Sequence, residues 1–145
     1  MIRQVSVFLQ NEGGKLGKVL SVLENADINI RSLTIAETSD YGILRLILSD
    51  TDKALIALKE AHIMASVTPV MAAAVPDCPG GLSKLVNALG SAGINMAYAY
   101  SFLPKNHDNA VVIFRVNDED MERAKEVLQD QVGVSPLERN ELLES

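Results

Sequence analysis

The stretch Asn11-Glu12-Gly13-Gly14-Lys15-Leu16, which runs on to Ile28-Asn29-Ile30, returns later in the chain as Asp77-Cys78-Pro79-Gly80-Gly81-Leu82 running on to Ile94-Asn95-Met96. Gly14 aligns with Gly80, Leu16 with Leu82, Lys18 with Lys84, Leu23 with Leu89, Ala26 with Ala92 and Asn29 with Asn95, all at one constant spacing. The chain is therefore a tandem duplication, and what each copy preserves is a strand, a glycine-bearing turn, an amphipathic helix and a second strand opening on Ile-Asn. A strand-to-helix turn exposes backbone N–H groups that the helix cannot pair, so it suits an anionic group.

Working outward, Val5, Val7 and Leu9 alternate with Gln4, Ser6 and Gln10, the period of a strand with one buried face, with Phe8 on the otherwise polar side. Leu16, Val19, Leu20 and Leu23 fall at helical spacing, and the helix is predicted to stop near Ala26-Asp27. Ile28, Ile30, Leu33 and Ile35 form an extended run whose phase slips at Arg31-Ser32, predicting a bulge. Ser39-Asp40-Tyr41-Gly42 turns into a third strand carrying Leu44, Leu46 and Leu48. Ser49-Asp50-Thr51-Asp52 supplies cap residues for a helix with Ala54, Leu55, Leu58 and Ala61, and a short strand from Ala65 to Thr68 ends at Pro69.

The second half repeats the order. Val70 to Val75 is predicted as strand, Leu82 to Leu89 as helix, Ile94 to Phe102 as strand, Leu103 to Asn109 as a hairpin loop and Ala110 to Val116 as strand. Asn117-Asp118-Glu119-Asp120 is predicted to cap a helix through Ala124, Val127 and Leu128, and Val132 to Val134 to close the sheet. Strand, helix, strand, strand, helix, strand with right-handed crossovers is an α+β arrangement: two ferredoxin-like βαββαβ units, each an antiparallel sheet with both helices on one face. The boundary falls at Pro69, giving residues 1–69 and 70–145, the latter with a C-terminal tail that docks or frays. Tyr98, Tyr100 and Phe102 share one side of a strand, so the face away from the helices is expected to be covered by the sister unit or another copy of the chain.

Charge and composition exclude several classes. Thirteen Lys and Arg against nineteen Asp and Glu leave a net charge of −6, which repels a phosphate backbone, and with no Trp and 4% aromatic residues nothing offers stacking platforms. Nucleic acid is not an expected partner. The longest nearly apolar stretch, Ile63 to Val75, is interrupted by Ser66, Thr68 and Pro69, so no membrane span is predicted. One cysteine forms no internal disulfide, and the strand pattern begins at once, so the chain is expected in the cytoplasm.

Catalysis finds little footing. Cys78 sits beside Pro79 with neither His62 nor His107 placed by sequence to activate it, and no metal-ligand spacing, nucleotide loop or nucleophile-base pair is present. No enzyme activity, cofactor or metal is expected. The histidines read as surface residues and the tyrosine stripe as packing.

The pattern strand, Asn/Asp-x-Pro/Gly-Gly-x-Leu, helix, Gly/Asp-Ile-Asn resembles the ACT domain, a small-molecule-sensing module of amino-acid metabolism. The resemblance spans nearly the whole chain, twice, as a tandem ACT protein with no attached enzyme. It implies units joined edge to edge into a continuous eight-stranded sheet, with amino acids bound at the seam between the turn of one unit and the second strand of its neighbour. Carried over by position, the residue before the turn is Asn11 or Asp77 and the strand-opening asparagine is Asn29 or Asn95. The implied ligand-binding set is Asn11, Glu12, Gly13, Gly14, Leu16, Ile28 and Asn29, with Asp77, Cys78, Pro79, Gly80, Gly81, Leu82, Ile94, Asn95 and Met96. The expected role is regulatory: a homodimer or higher homo-oligomer that binds a free amino acid and passes the state of the pool to a separate metabolic enzyme.

The chemistry agrees, because turn amides suit a ligand carboxylate and Asn or Asp suits its ammonium. Bulk negative charge leans toward a polar or cationic ligand. The chain departs from the family at Gly13, where the second copy has Pro79, and at Leu9 and Val75, where some serine-sensing relatives carry histidine. Three alternatives stay open: glycines that merely permit a tight turn, asparagines that only cap strands, and a structural protein-protein association module with no small ligand.

Overall fold

The structure, a computed structural model, describes residues 2–10, 12–37, 40–102, 109–131 and 133–144. Asn11, Ser39, Leu103 to Asp108 with His107, and Val132 therefore lie outside the described residues. The chain divides into two compact units, Arg3–Thr68 and Pro69–Ser145 together with Met1–Ile2.

The first unit runs β1 (Ile2–Gln10), α1 (Lys15–Asn25), β2 (Ile30–Glu37), β3 (Tyr41–Leu48), α2 (Thr51–Glu60) and the opening of β4 (Ala65–Pro76), with strand order β2-β3-β1-β4. Antiparallel pairing sets Val5 against Leu46 and Val7 against Leu44, so the apolar alternation of both strands falls on one face. That face packs on Val19 and Leu23 of α1 and Ala54 and Leu58 of α2, with Ile28 closing the core. The register of β2 on β3 shifts between Ile30 and Ser32, at the predicted bulge. On the opposite face the buried Gln4 side chain donates to Ser6 Oγ at 3.2 Å, and Ser6 Oγ lies 3.5 Å from Thr68 Oγ1, a polar patch satisfied internally.

The second unit continues β4 through α3 (Gly81–Ser91), β5 (Tyr98–Phe102), β6 (Asn109–Arg115), a 3-10 turn (Asp118–Asp120), α4 (Met121–Gln129), β7 (Ser135–Leu137) and α5 (Arg139–Glu144), with strand order β7-β4-β6-β5. Its core joins Ala73, Val75, Val112 and Phe114 of the sheet to Leu85, Leu89, Ala124 and Leu128 of the helices. Both units thus carry the ferredoxin-like order. Seven strands rather than eight are present among the described residues, because the last strand of the first copy and the first strand of the second are one strand, β4.

Several local expectations are corrected. Pro69 does not end a strand: it lacks an N–H but tolerates extended backbone, and its carbonyl accepts from Arg115 Nη1 at 2.7 Å. Strand β5 begins at Tyr98, not Ile94, since Ile94 is consumed in the helix ending. The sheet closes with Ser135–Leu137, where Leu137 pairs with Ala72, while Val134 enters the core. No side chain caps the Asp118–Asp120 turn or α4; Asp118 instead accepts from Arg115 at 2.8 Å and Asp120 from Arg123 at 3.2 Å. The tail folds as α5 with Leu142 buried. On the face away from α3 and α4, Phe102, Val111 and Ile113 are buried, whereas in the first unit Phe8 stays 56% exposed, its ring edge-on to Tyr41 at 6.4 Å.

Three helices end alike. Ala26-Asp27-Ile28, Ala61-His62-Ile63 and Ala92-Gly93-Ile94 each place the middle residue at φ 59, 60 and 72, and each isoleucine N–H returns to the carbonyl of Leu23, Leu58 or Leu89 at 2.9 to 3.0 Å. This is the Schellman ending, in which a left-handed residue satisfies the last carbonyls and an apolar residue seals the turn.

Candidate functional site

Gly14 and Gly80 are the residues from which α1 and α3 start, at φ 86, ψ −9 and φ 86, ψ −6, and neither helix has a side chain capping its first amides. Helix α2 starts differently: Asp50 is extended and its carboxylate accepts from the Lys53 N–H at 3.0 Å. The first amide of each helix turns back on its own loop, the Lys15 N–H donating to the Glu12 carbonyl at 3.4 Å and the Gly81 N–H to the Cys78 carbonyl at 3.0 Å, while the next amides of the first turn meet no capping side chain and no acidic side chain occupies either first turn. Both duplicated turns therefore present amide donors at the positive end of a helix.

The two turns are not copies in detail. In the first, Gln10, Glu12, Lys15 and Leu16 join Ile35 and Gly42 around a cavity of about 120 Å³. Glu12 and Lys15 form a loose, exposed ion pair at 3.8 Å. In the second, Gly81 stands where Lys15 stands in the first, and a Cβ there would overlap the Pro76 carbonyl oxygen, so the chain closes tightly on itself. Gly14 and Gly80 meet no such obstacle, and their requirement is the left-handed φ alone.

The remaining candidates scatter. Glu12, Gly13, Asp77, Cys78 and Pro79 are exposed in the turns, and Leu82 is half exposed on α3. Ile28 and Ile94 point into their cores and Met96 packs beside the second, so these three serve the fold. Asn29 is exposed, its N–H donating to Ser49 Oγ and its carbonyl accepting from the Ser49 N–H, each at 2.9 Å, which leaves the carboxamide outward. It borders an open depression with Leu20, Glu24 and Asp27. Asn95 is likewise exposed, ahead of β5.

Within a unit the turn and the asparagine are not brought together. They lie at opposite ends of an 11-residue helix, roughly 16 Å at about 1.5 Å per residue. Sequence reasoning missed Gln10, Lys15, Ile35 and Gly42 at the first turn; Ile35 and Gly42 reach it only because β2 pairs with β3 and β3 with β1, where Gly42 sits opposite Leu9. Among the described residues no group of three or more His, Cys, Asp and Glu is placed to hold a metal ion, and no helix is long and apolar enough to cross a membrane.

Among solved structures, protein BT0572 from Bacteroides thetaiotaomicron is 38% identical, with a TM-score of 0.89 over 99% of this chain and 96% of that one. The ligand-free regulatory subunit of aspartate kinase from Thermus thermophilus shares the fold at 17% identity and TM-score 0.64, over 88% of this chain and 91% of that one. The same subunit from Thermus flavus does so at 17% identity and TM-score 0.61, over 86% and 88%. No curated protein matches the sequence. The family described as ACT domain pair matches residues 1–142, and with the duplicated turns and paired ferredoxin-like units in view, this chain belongs to the ACT domain pair family.

Proposed function

We propose that the chain is a non-catalytic regulatory protein that binds a free amino acid and reports its level to a separate enzyme. The observation that carries this is the pair of glycine-started helices, α1 and α3, whose first amides have no side-chain cap while α2, outside the duplicated turns, has one. A ligand carboxylate takes those amides. Its ammonium takes the outward carboxamide of Asn29 or Asn95, supplied by another ACT unit. The fold shared with regulatory subunits of aspartate kinase supports the regulatory part of the reading. Signalling requires the ligand to bind one state of association better than another, and couplings of about 1–3 kcal/mol are typical.

Thermal-shift screening of the proteinogenic amino acids tests it. At least one is expected to stabilise the chain, by about 2.7 kcal/mol at a hundredfold excess over its dissociation constant, with the response lost in Asn29→Ala with Asn95→Ala. A flat panel removes the amino-acid reading.

A second reading, an association module without a small ligand, is favoured by one feature. The edge strand β2 leaves Leu33 and Ile35 42% and 44% exposed, an apolar strip on an edge that pairs readily with another chain. Sedimentation velocity over a range of concentrations distinguishes them: under the first reading the assembly responds to the ligand, under the second it forms regardless.

A further inference from the structure

A cavity of about 300 Å³ opens in the first unit between α1 and His62 to Met64, the residues just before β4. Its walls include Leu9, Val19, Ile63 and Met64, and its rim Lys15, Lys18 and His62. Met64 is 79% exposed, a cost in water that an apolar occupant would relieve. Among the described residues no acidic side chain lines it, although the chain carries a net charge of −6. Lys15 and Lys18 stand one turn apart on α1 and both line the opening, the Lys15 ammonium also lying 3.8 Å from the Glu12 carboxylate, so Lys18 is the cation set toward an occupant.

His62 adds an independent observation. It occupies the left-handed position that ends α2, φ 60, where glycine is least strained and where Gly93 serves α3. A histidine kept there sets an imidazole at the mouth of the cavity. An apolar wall under a basic rim is the complement of a small amphipathic anion, and the volume suits a ligand of modest size.

We propose that this cavity, which adjoins the hollow at the first turn and shares Gln10 and Lys15 with it, is a second binding site, for a monocarboxylate with an apolar body, its carboxylate between Lys18 and His62 and its hydrocarbon on Leu9 and Met64. The site does not depend on the amino-acid reading.

Calorimetric titration of the full chain tests it, with octanoate as probe and octylammonium, acetate and inorganic phosphate as comparisons. Octanoate is expected to bind saturably at one site per chain, with affinity falling about tenfold or more in Lys18→Glu and severalfold in His62→Gly. Asn29→Ala with Asn95→Ala, which would abolish an amino-acid response, is expected to leave octanoate binding intact. Lys18 is exposed, so the charge-reversed chain should keep its fold, checked by its thermal unfolding. No octanoate binding, octylammonium or phosphate binding as well as octanoate, or an affinity within twofold of the parent in Lys18→Glu would each overturn the proposal.

Discussion

Gly14 and Gly80 hold the same backbone conformation, φ 86 in each, at the corresponding point of two helices that share little else at that turn. Where Lys15 follows Gly14, Gly81 follows Gly80 and is pressed against the Pro76 carbonyl. What the duplication keeps is thus the left-handed entry to the helix, and what it lets vary is how closed the turn is.

Substituting alanine at Gly14 or Gly80 should therefore cost conformational strain and nothing else, since an added Cβ meets no atom within 4 Å at either. The expected loss is about 1–2 kcal/mol each, the penalty of a left-handed non-glycine residue. Urea unfolding measures it, and equal losses at the two sites are expected.

Gly81→Ala should be worse than Gly80→Ala although Gly81 has no positive φ. Its Cβ would collide with backbone rather than a flexible side chain, so α3 must move. A loss of about 3 kcal/mol, the upper part of the usual range for overpacking, is expected from the same unfolding experiment; a cost below that of Gly80→Ala would contradict the tight turn.

Asp27→Gly should stabilise the chain. Asp27 is held at φ 59 in the position that Gly93 fills in α3, and its exposed side chain has no partner to lose among the described residues. Relief of the strain outweighs the entropy glycine adds to the unfolded chain, leaving a gain of up to about 1 kcal/mol, seen as a higher urea midpoint with an unchanged slope.

Asp50→Ala removes the Asp50 side-chain cap of α2, the bond from the Lys53 N–H at 3.0 Å. About 1 kcal/mol of stability should be lost. Asp118→Ala, whose partner is Arg115 rather than a helix amide, should cost less.

Acid should weaken the docking of the tail. Lys125 Nζ donates to Glu138 Oε1 at 2.8 Å, and this bond holds the Glu138 carboxyl below its ordinary 4.5 while raising the Lys125 ammonium above its ordinary 10.5. The lowered carboxyl stabilises the fold above pH 4.5 and ceases to do so as pH falls through its folded value. The raised ammonium stabilises below pH 10.5 and ceases to do so as pH rises through its folded value. Both groups are solvent-accessible, so the effect is small. Unfolding midpoints of Glu138→Gln and the parent should converge below pH 4.5 and separate near neutrality.

Much of this was legible in the residues. The alternation of Val5 and Val7 with Gln4 and Ser6, the helical spacing of Val19 and Leu23, the bulge beside Arg31 and the ending at Ala26-Asp27 are local patterns, and each is found where it was read. The failures share a cause. Pro69 reads locally as a stop, yet its missing N–H matters only where a partner strand needs it, and its carbonyl has Arg115. Asn117 to Asp120 read as caps, yet arginines three residues away claim Asp118 and Asp120.

At the candidate site the same division holds. Glycine at 14 and 80 could be read from the repeat, because a left-handed entry to a helix is a property of one residue and its neighbours. The walls of the two cavities beside α1 could not, because Ile35, Gly42 and Met64 reach them from later strands and loops. The sequence by itself determined the duplication, the βαββαβ order and the helix ends, all set by interactions within a few residues. Only the tertiary structure decided that β4 runs unbroken, that Ser135–Leu137 closes the sheet and that basic side chains ring an apolar hollow, since strand pairing and burial join residues that no local pattern links.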